Sequence, residues 1–388
     1  MGSPTRRAPA LDCPHRPPCP GCPRWGAGGV EPGAYAALAE LAREAGLEAP
    51  PAVIEGAPLA YRHRARLAVR GRARSPKIGI FQEGSHRITD IPRCLVHHPL
   101  VNRVAAVVKQ ALRETDTAPY AEAPHRGVLR YVQIVVERSS QSAQLVLVAN
   151  GEDPEACRPA AEVIRRELGA ELHSLWWNGN TGRGNTILGP HWERLGGAEA
   201  VREVIGGVEV FFPPGAFGQA NLDLADHMAA RVSSWVPDAA TVVELYAGCG
   251  AMGLQLLGRC GALHFNERGG DSLRGLELSL ARRPDAERRR ARIHAGDAGA
   301  DADLHAACSG ADVVIADPPR KGLDPPLLEV LAERPPRRLV YVSCGLPALL
   351  AQSRRLLESG HLALAALEAW ALFPHTDQIE TLALFDRI

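Results

Sequence analysis

The sequence predicts an α/β protein in which a parallel-sheet unit follows a smaller α+β unit. Beyond about residue 205, helix-like segments alternate with short apolar runs, the texture of crossover units on a parallel sheet. Three runs there end in residues able to do chemistry: Tyr246-Ala247-Gly248-Cys249-Gly250, Asp317-Pro318-Pro319-Arg320 and Tyr341-Val342-Ser343-Cys344. In an open α/β sheet such strand ends line one crevice. Before residue 205 the strand-like runs are close-set and separated by turn residues, which reads as antiparallel pairing. The units are therefore expected at 1–205 and 206–388.

Taken in order, residues 1–30 are rich in Pro, Gly and Cys and carry no periodic pattern. Residues 34–46 read as a helix ended by Gly46. Strands are expected at 64–69, 78–82, 129–136 and 142–148, with a helix at 101–113 and a hairpin turn at Ser139-Ser140-Gln141. In the second unit the apolar runs 241–246, 262–266, 311–316 and 338–343 read as buried strands, and a last apolar strand opens near Glu380.

Composition limits the function. The chain has 388 residues, 46% of them hydrophobic, which suits two folded domains rather than a disordered chain. Its 44 basic and 44 acidic side chains cancel, so a nucleic-acid partner needs a local basic surface. No apolar stretch has membrane-spanning length and the N-terminus lacks a signal-peptide core, so a cytoplasmic location is expected. Nine cysteines are too few and too scattered for a secreted disulfide scaffold. Cys157, Cys260 and Cys308 read as small packed hydrophobes.

Gly248, Gly250 and Gly253 lie between a strand and an expected helix, where glycines let the backbone turn sharply and approach a ligand. Glu267, nineteen residues after Gly248, ends the next strand and can accept hydrogen bonds from two ribose hydroxyls. Glu277 competes for that role but leaves too little chain for a helix before Asp297. Asp317 is followed by two prolines, which forbid both helix and ladder and present the carboxylate rigidly. Cys344 at a strand end beside a polar crevice can react, and Glu380 at a neighbouring strand end can serve as its base. Cys13, Cys19 and Cys22, spaced C-x5-C-x2-C, need a fourth ligand to close a metal site; Cys94 is the remaining cysteine before Cys157. That spacing fits zinc and iron–sulfur equally. Arg62, Arg64 and Arg66 share one strand face, which reads equally as a phosphate grip and as a solvated surface.

These residues in this order resemble the RNA 5-methyluridine (uracil-C5) methyltransferases, over nearly the whole chain. The likeness adds Tyr61 to Asn102, Phe217-Gly218-Gln219-Ala220-Asn221, Asp317 to Gly322 and Glu380-Thr381 to the motifs above. The resemblance implies a Rossmann-like S-adenosylmethionine domain preceded by an RNA-facing domain. It implies cofactor contacts from Gln219, Tyr246, Glu267 and Asp317, with Cys344 as nucleophile and Glu380 as base. It implies a [4Fe-4S] cluster on Cys13, Cys19, Cys22 and Cys94, as in the ribosomal-RNA branch, and hence 23S ribosomal RNA as substrate. A transfer-RNA methyltransferase and a non-catalytic iron–sulfur RNA-binding protein are the alternatives. Two positions depart from the family pattern: Gly345-Leu346-Pro347 follows Cys344 where Asn-Pro is usual, and Pro20-Gly21 separates Cys19 from Cys22 where glycines are usually paired. In this sequence no β-barrel module is read before the cysteines, so RNA contact is expected from the central domain.

Overall fold

The structure, a computed structural model, describes residues 12–388. The first eleven residues of the irregular 1–30 stretch lie outside the described residues. An eight-stranded sheet runs in the spatial order Ala52–Ile54, Leu362–Trp370, Glu380–Arg387, Arg338–Ser343, Val313–Ala316, Thr241–Leu245, Ala262–Glu267, Ala291–Ala295. Only Glu380–Arg387 is antiparallel to its neighbours. Val313–Ala316 is buried throughout, as expected where helices cover both sheet faces. Met228 and Val232 of helix Leu222–Ser234 pack on one side. Leu38 and Leu41 of helix Pro32–Glu44 pack on the other, with Leu327, Leu349 and Leu356.

Strand order reverses between Thr241–Leu245 and Val313–Ala316, the switch point at which open α/β sheets bind ligands. Helix Pro32–Glu44 and strand Ala52–Ile54 belong with this sheet, although they precede the expected boundary. The apolar stripe of that helix is buried there, and Ala52–Ile54 pairs in parallel with Leu362–Trp370. The hairpin Val201–Ile205 with Val208–Phe212 straddles residue 205, so the chain does not divide at a single point.

The second sheet has seven strands in the order Ile88–Asp90, Ser75–Phe81, Arg64–Arg72, Leu129–Glu137, Ser142–Ala149, Leu172–Gly179, His191–Gly197. It is antiparallel apart from Ser142–Ala149 with Leu172–Gly179, which helix Arg158–Leu168 connects as a parallel crossover. That helix and Pro99–Glu114 cover one face with Val101, Val104, Val108 and Ile164. On the other face Gln133 Nε2 donates to the Pro214 carbonyl (2.6 Å) and an Arg64 guanidinium nitrogen to that of Ala216 (2.7 Å), tying the sheet to loop 213–221. Among the described residues no helix is long and apolar enough to cross a membrane.

Candidate active site

The cysteine and the glutamate meet because of strand register. In the antiparallel pair of Arg338–Ser343 with Glu380–Arg387, Ser343 lies opposite Thr381, whose hydroxyl donates to the Ser343 carbonyl (2.9 Å). Cys344 leaves the end of one strand as Glu380 enters the other, so their side chains share the rim of the sheet. Helix Leu346–Glu358 begins immediately afterwards. A Cβ at Gly345 would lie 2.2 Å from the Arg320 carbonyl, so the close approach of the Asp317-Pro-Pro-Arg320 turn requires glycine there. The departure from the family's asparagine thus has a local steric reason.

Charge organises the rim. Burial raises the Cys344 thiol, the Glu380 and Asp317 carboxylates add to that rise, and Arg320 opposes it. Glu380 is buried and pushed up to about 8 by desolvation first and by Asp317 second, again against Arg320. Asp317 rises to about 7 through desolvation. Thiol, two carboxylates and one guanidinium therefore occupy one electrostatic neighbourhood. Arg320 is the member that motif reading passed over; an arginine directly after a Pro-Pro turn at a strand end was its signal.

The glycine turn forms the next wall. Gly248 takes a left-handed backbone (φ +58°) and the space where its Cβ would point is open. Its N–H donates to Glu267 Oε2 (2.8 Å), while the N–H groups of Arg268 and Gly269 donate to Oε1 (2.9 and 2.6 Å). Glu267 is thus fixed at its strand end, with a second lone pair free on Oε2, which accepts from Gly248 alone. Glu277 lies within helix Gly270–Ala281, so the strand end considered for it does not exist. The helix expected after the glycines is replaced by a short 3₁₀ turn, Leu254–Leu256, since Gly253 and Gly258 leave too few residues for a longer one.

Tyr246 also adopts a positive φ (58°), and its hydroxyl donates to Asp324 Oδ2 (3.1 Å), which fixes the ring beside the turn. Beneath the turn, Glu244 is buried and raised to about 8 by desolvation, and its Oε2 lacks a hydrogen-bond partner among the described residues. A Cβ on Gly253 would come within 2.2 Å of that oxygen. Gln219 sits on loop 213–221 beside Arg64, Phe212 and Leu222, and no hydrogen bond joins it to the carboxylates among the described residues. Asn221 anchors the loop: its Oδ1 accepts from the Leu224 N–H (3.3 Å) and its Nδ2 donates to the Leu372 carbonyl (3.0 Å).

No protein-family model matches the chain. It is 36% identical, over 97% of its length and 98% of the relative's, to an uncharacterized RNA methyltransferase of Protochlamydia amoebophila. The chain belongs to the RNA methyltransferase family. An uncharacterized RNA methyltransferase of Gloeobacter violaceus is 32% identical over 87% of this chain and 72% of its own. In fold, the chain is similar to the Pyrococcus abyssi tRNA (uracil-54, C5)-methyltransferase in complex with S-adenosyl-L-homocysteine. That likeness has a TM-score of 0.73 at 22% identity and covers 91% of this chain and 82% of the other.

In this RNA methyltransferase the other cysteines are far from alike. Cys157, Cys260 and Cys308 are buried in the hydrophobic cores. Cys13, Cys19, Cys22 and Cys94 instead line one cavity of about 170 Å³ with Tyr61, Arg62 and Ile80. The loop that carries them is held by the Cys19 N–H on the His15 carbonyl (2.8 Å) and by Arg16 on the Cys22 carbonyl. Cys94 is fixed by Asn102, which donates to its carbonyl (3.0 Å). Burial, and then the neighbouring thiols, push Cys22 up to about 11. Among the described residues no three His, Cys, Asp or Glu side chains converge on a point that would hold a metal ion.

The same segment grips the loop that leads to Glu380. The Arg24 N–H donates to the His375 carbonyl (3.0 Å), the Gly26 N–H to His375 Nδ1 (3.3 Å), and the Tyr61 hydroxyl to the Pro374 carbonyl (3.3 Å). The Trp25 and His375 rings lie 4.5 Å apart between centroids. The arginine face divides by position. Arg64 is desolvated against loop 213–221, which lowers it to about 10, whereas Arg66 remains exposed.

Proposed function

We propose that this RNA methyltransferase methylates C5 of a uridine in RNA, in ribosomal RNA of the 23S type, through a covalent adduct between Cys344 Sγ and uracil C6. The observation that carries the reading is the placement of Cys344 and Glu380 on one sheet rim, where Asp317 and Arg320 act electrostatically on both. Uracil C5 is too weak a nucleophile to take a methyl group directly. The Cys344 thiol is half-buried, so its proton can leave to solvent before the sulfur bonds to C6. Electron density then develops at C5, which accepts the methyl group. Glu380 next takes the C5 proton, the C6–S bond breaks, and the thiolate is released. A carboxylate raised by burial is a stronger base once ionised. Glu380 holds a proton near neutral pH in the ligand-free protein, so its role as base requires that it ionise when the positively charged methyl donor binds.

S-Adenosylmethionine supplies the methyl group on a positively charged sulfur. The residues present fit it: an open turn at Gly248, the fixed Glu267 carboxylate, and Asp317 and Glu244 as desolvated carboxylates that a nearby positive charge favours. Glu267, Tyr246 and Asp317 would hold it, with Gln219 approaching from the loop. The uridine must leave its stack to reach this rim, so a loop or flipped nucleotide is the substrate form.

The four-cysteine cavity is assigned to a [4Fe-4S] cluster on Cys13, Cys19, Cys22 and Cys94. A cubane takes one thiolate per iron, so its ligands stand apart around a volume rather than converging on one ion. That agrees with four thiols lining one cavity, and the cluster's role would be structural. The decisive experiment for the methylation reading is trapping with RNA containing 5-fluorouridine, whose C5–F bond blocks proton removal. The expected result is a protein–RNA adduct mapped by mass spectrometry to the Cys344 peptide. Methyl transfer to RNA without such an adduct would overturn the mechanism.

A further inference from the structure

We propose that the open face of the seven-stranded sheet carries a second nucleotide slot, which takes one unstacked base and its phosphate from single-stranded RNA beside the target. The proposal rests on the reading of the substrate as RNA. The slot is a cavity of about 650 Å³ lined by Arg66, Phe81, Arg130, Tyr131 and Arg183, among others. That volume falls in the range of small-ligand sites and suffices for a nucleotide.

Its floor and walls follow from strand register. Ala68 lies opposite Gly79 on one side and Tyr131 on the other, so the smallest residues stand between the aromatic walls. Gly79 has no alternative, since a Cβ there would lie 1.8 Å from the Thr89 carbonyl oxygen. The half-buried rings of Phe81 and Tyr131 lie 6.5 Å apart between centroids, inclined at 63°. The Arg70 guanidinium packs on both, at 5.2 and 5.4 Å from their centroids.

The charge left over is positive. Glu122, a carboxylate in the lining, is occupied by Arg70 and by His86 (2.6 Å). Arg130 is only 4% exposed; it packs 4.6 Å over Tyr120 and donates to the carbonyls of Asn180 (2.5 Å) and Gly182 (2.7 Å). Its Nε is buried with no acceptor among the described residues, a vacancy that native structures rarely leave. Arg66 and Arg183 add exposed guanidinium groups at the cavity wall. Arg66, Arg130 and Arg183 have no carboxylate partner among the described residues. Aromatic walls beside such cations are the means by which proteins hold single-stranded nucleic acid, whereas a base paired in a duplex cannot enter such a slot.

The location fits a neighbour of the target. Arg66 Nε donates to Gln133 Oε1 (2.6 Å), and Gln133 in turn holds the Pro214 carbonyl of the loop that carries Gln219. Arg64, two residues before Arg66 on the same strand face and so about 7 Å away, is already packed on that loop.

The test uses the full-length protein with a fluorescein-labelled, uridine-rich single-stranded RNA 12-mer and a duplex of equal length. Tyr131→Ala and Arg183→Ala should each weaken single-strand binding by about tenfold, as expected for one stacked base, and leave duplex and S-adenosylmethionine binding unchanged. Tyr131→Phe should retain wild-type affinity, and Arg183, on an exposed loop, guards against a folding artefact. RNA carrying 5-iodouridine should photocrosslink to the Phe81 or Tyr131 peptide. Unchanged affinity in both alanine variants, or crosslinks only elsewhere, would overturn the slot. Wild-type protein that binds through these residues but transfers no methyl group would overturn the uracil-C5 reading and leave the slot standing.

Discussion

Cys344 and the N-terminal cysteine quartet contain the same functional group in opposite surroundings. Cys344 is a lone thiol at a strand end, and its electrostatic neighbours are Glu380, Asp317 and Arg320. The thiol that is most perturbed in the quartet, Cys22, has Cys94, Cys19 and Cys13 as its main charged neighbours, with Arg62 opposing. A lone thiol flanked by a base and a cation can be switched by one proton. Thiols that raise one another's pKa are relieved together only by a shared cation, which is the condition of a metal site. The neighbours, rather than the residue type, distinguish the two proposed roles.

The largest expected effect separates the regions at the catalytic rim. Cys344→Ala should lower methyl transfer by at least about 10²-fold, as for loss of a key catalytic group, while S-adenosylmethionine binding stays within about threefold of wild type. Glu380→Gln should also lose turnover, yet accumulate an RNA adduct that survives denaturing electrophoresis and disappears in the double variant with Cys344→Ala. Turnover above about one per cent of wild type in the Cys344 variant would remove it as nucleophile.

The next effect tests the quartet. Anaerobically purified protein should be brown, with iron near four per chain as the proposed cluster requires, and Cys94→Ser should be colourless. Because Arg24, Gly26 and Tyr61 hold the 373–377 loop, that variant should lose RNA affinity and protease resistance of this loop before it loses cofactor binding. A colourless wild-type preparation with stoichiometric zinc would replace the cluster by a zinc site.

The smallest effect is on stability. In the folded chain Glu380 and Asp317 titrate near 8 and 7, above their ordinary 4.5 and 3.8, so the native state keeps protons that the unfolded chain releases. Their stabilising contribution is complete below about pH 4 and is lost as pH rises towards 8. Ligand-free protein should therefore lose Tm across that window, and Glu380→Gln should lessen the loss by a few degrees. A Tm that rises from pH 5 to pH 8 equally in both proteins would show that these carboxylates are not desolvated.

Much of this was legible in the chain. Thr241–Leu245, Val313–Ala316 and Arg338–Ser343 are apolar runs bounded by turn residues, and helices cover both faces of a parallel sheet, so their burial shows directly as sequence. Helix Pro32–Glu44 was legible as a helix, but its partner was not, because an amphipathic stripe does not name the surface that covers it. The crossover at Arg158–Leu168 was hidden for a similar reason: Ser142–Ala149 is buried throughout, so no alternation distinguishes parallel from antiparallel pairing. Arg320 and Glu244 act through proximity in space, which spacing along the chain does not encode.

The sequence by itself determined the kinds of group available: a strand-end thiol, carboxylates at three strand ends, a glycine turn and four cysteines within the first hundred residues. Those follow from local rules, since apolar runs make strands, glycine permits left-handed turns and proline forbids ladders. Tertiary structure alone decided which groups meet. The register of Ser343 with Thr381 sets Cys344 beside Glu380, the Arg320 carbonyl makes Gly345 obligatory, and the cysteine loop closes on the segment before Glu380. Such pairings are fixed by packing between segments far apart in the chain, where the free energy of burying apolar faces selects one arrangement among many that local preference allows equally.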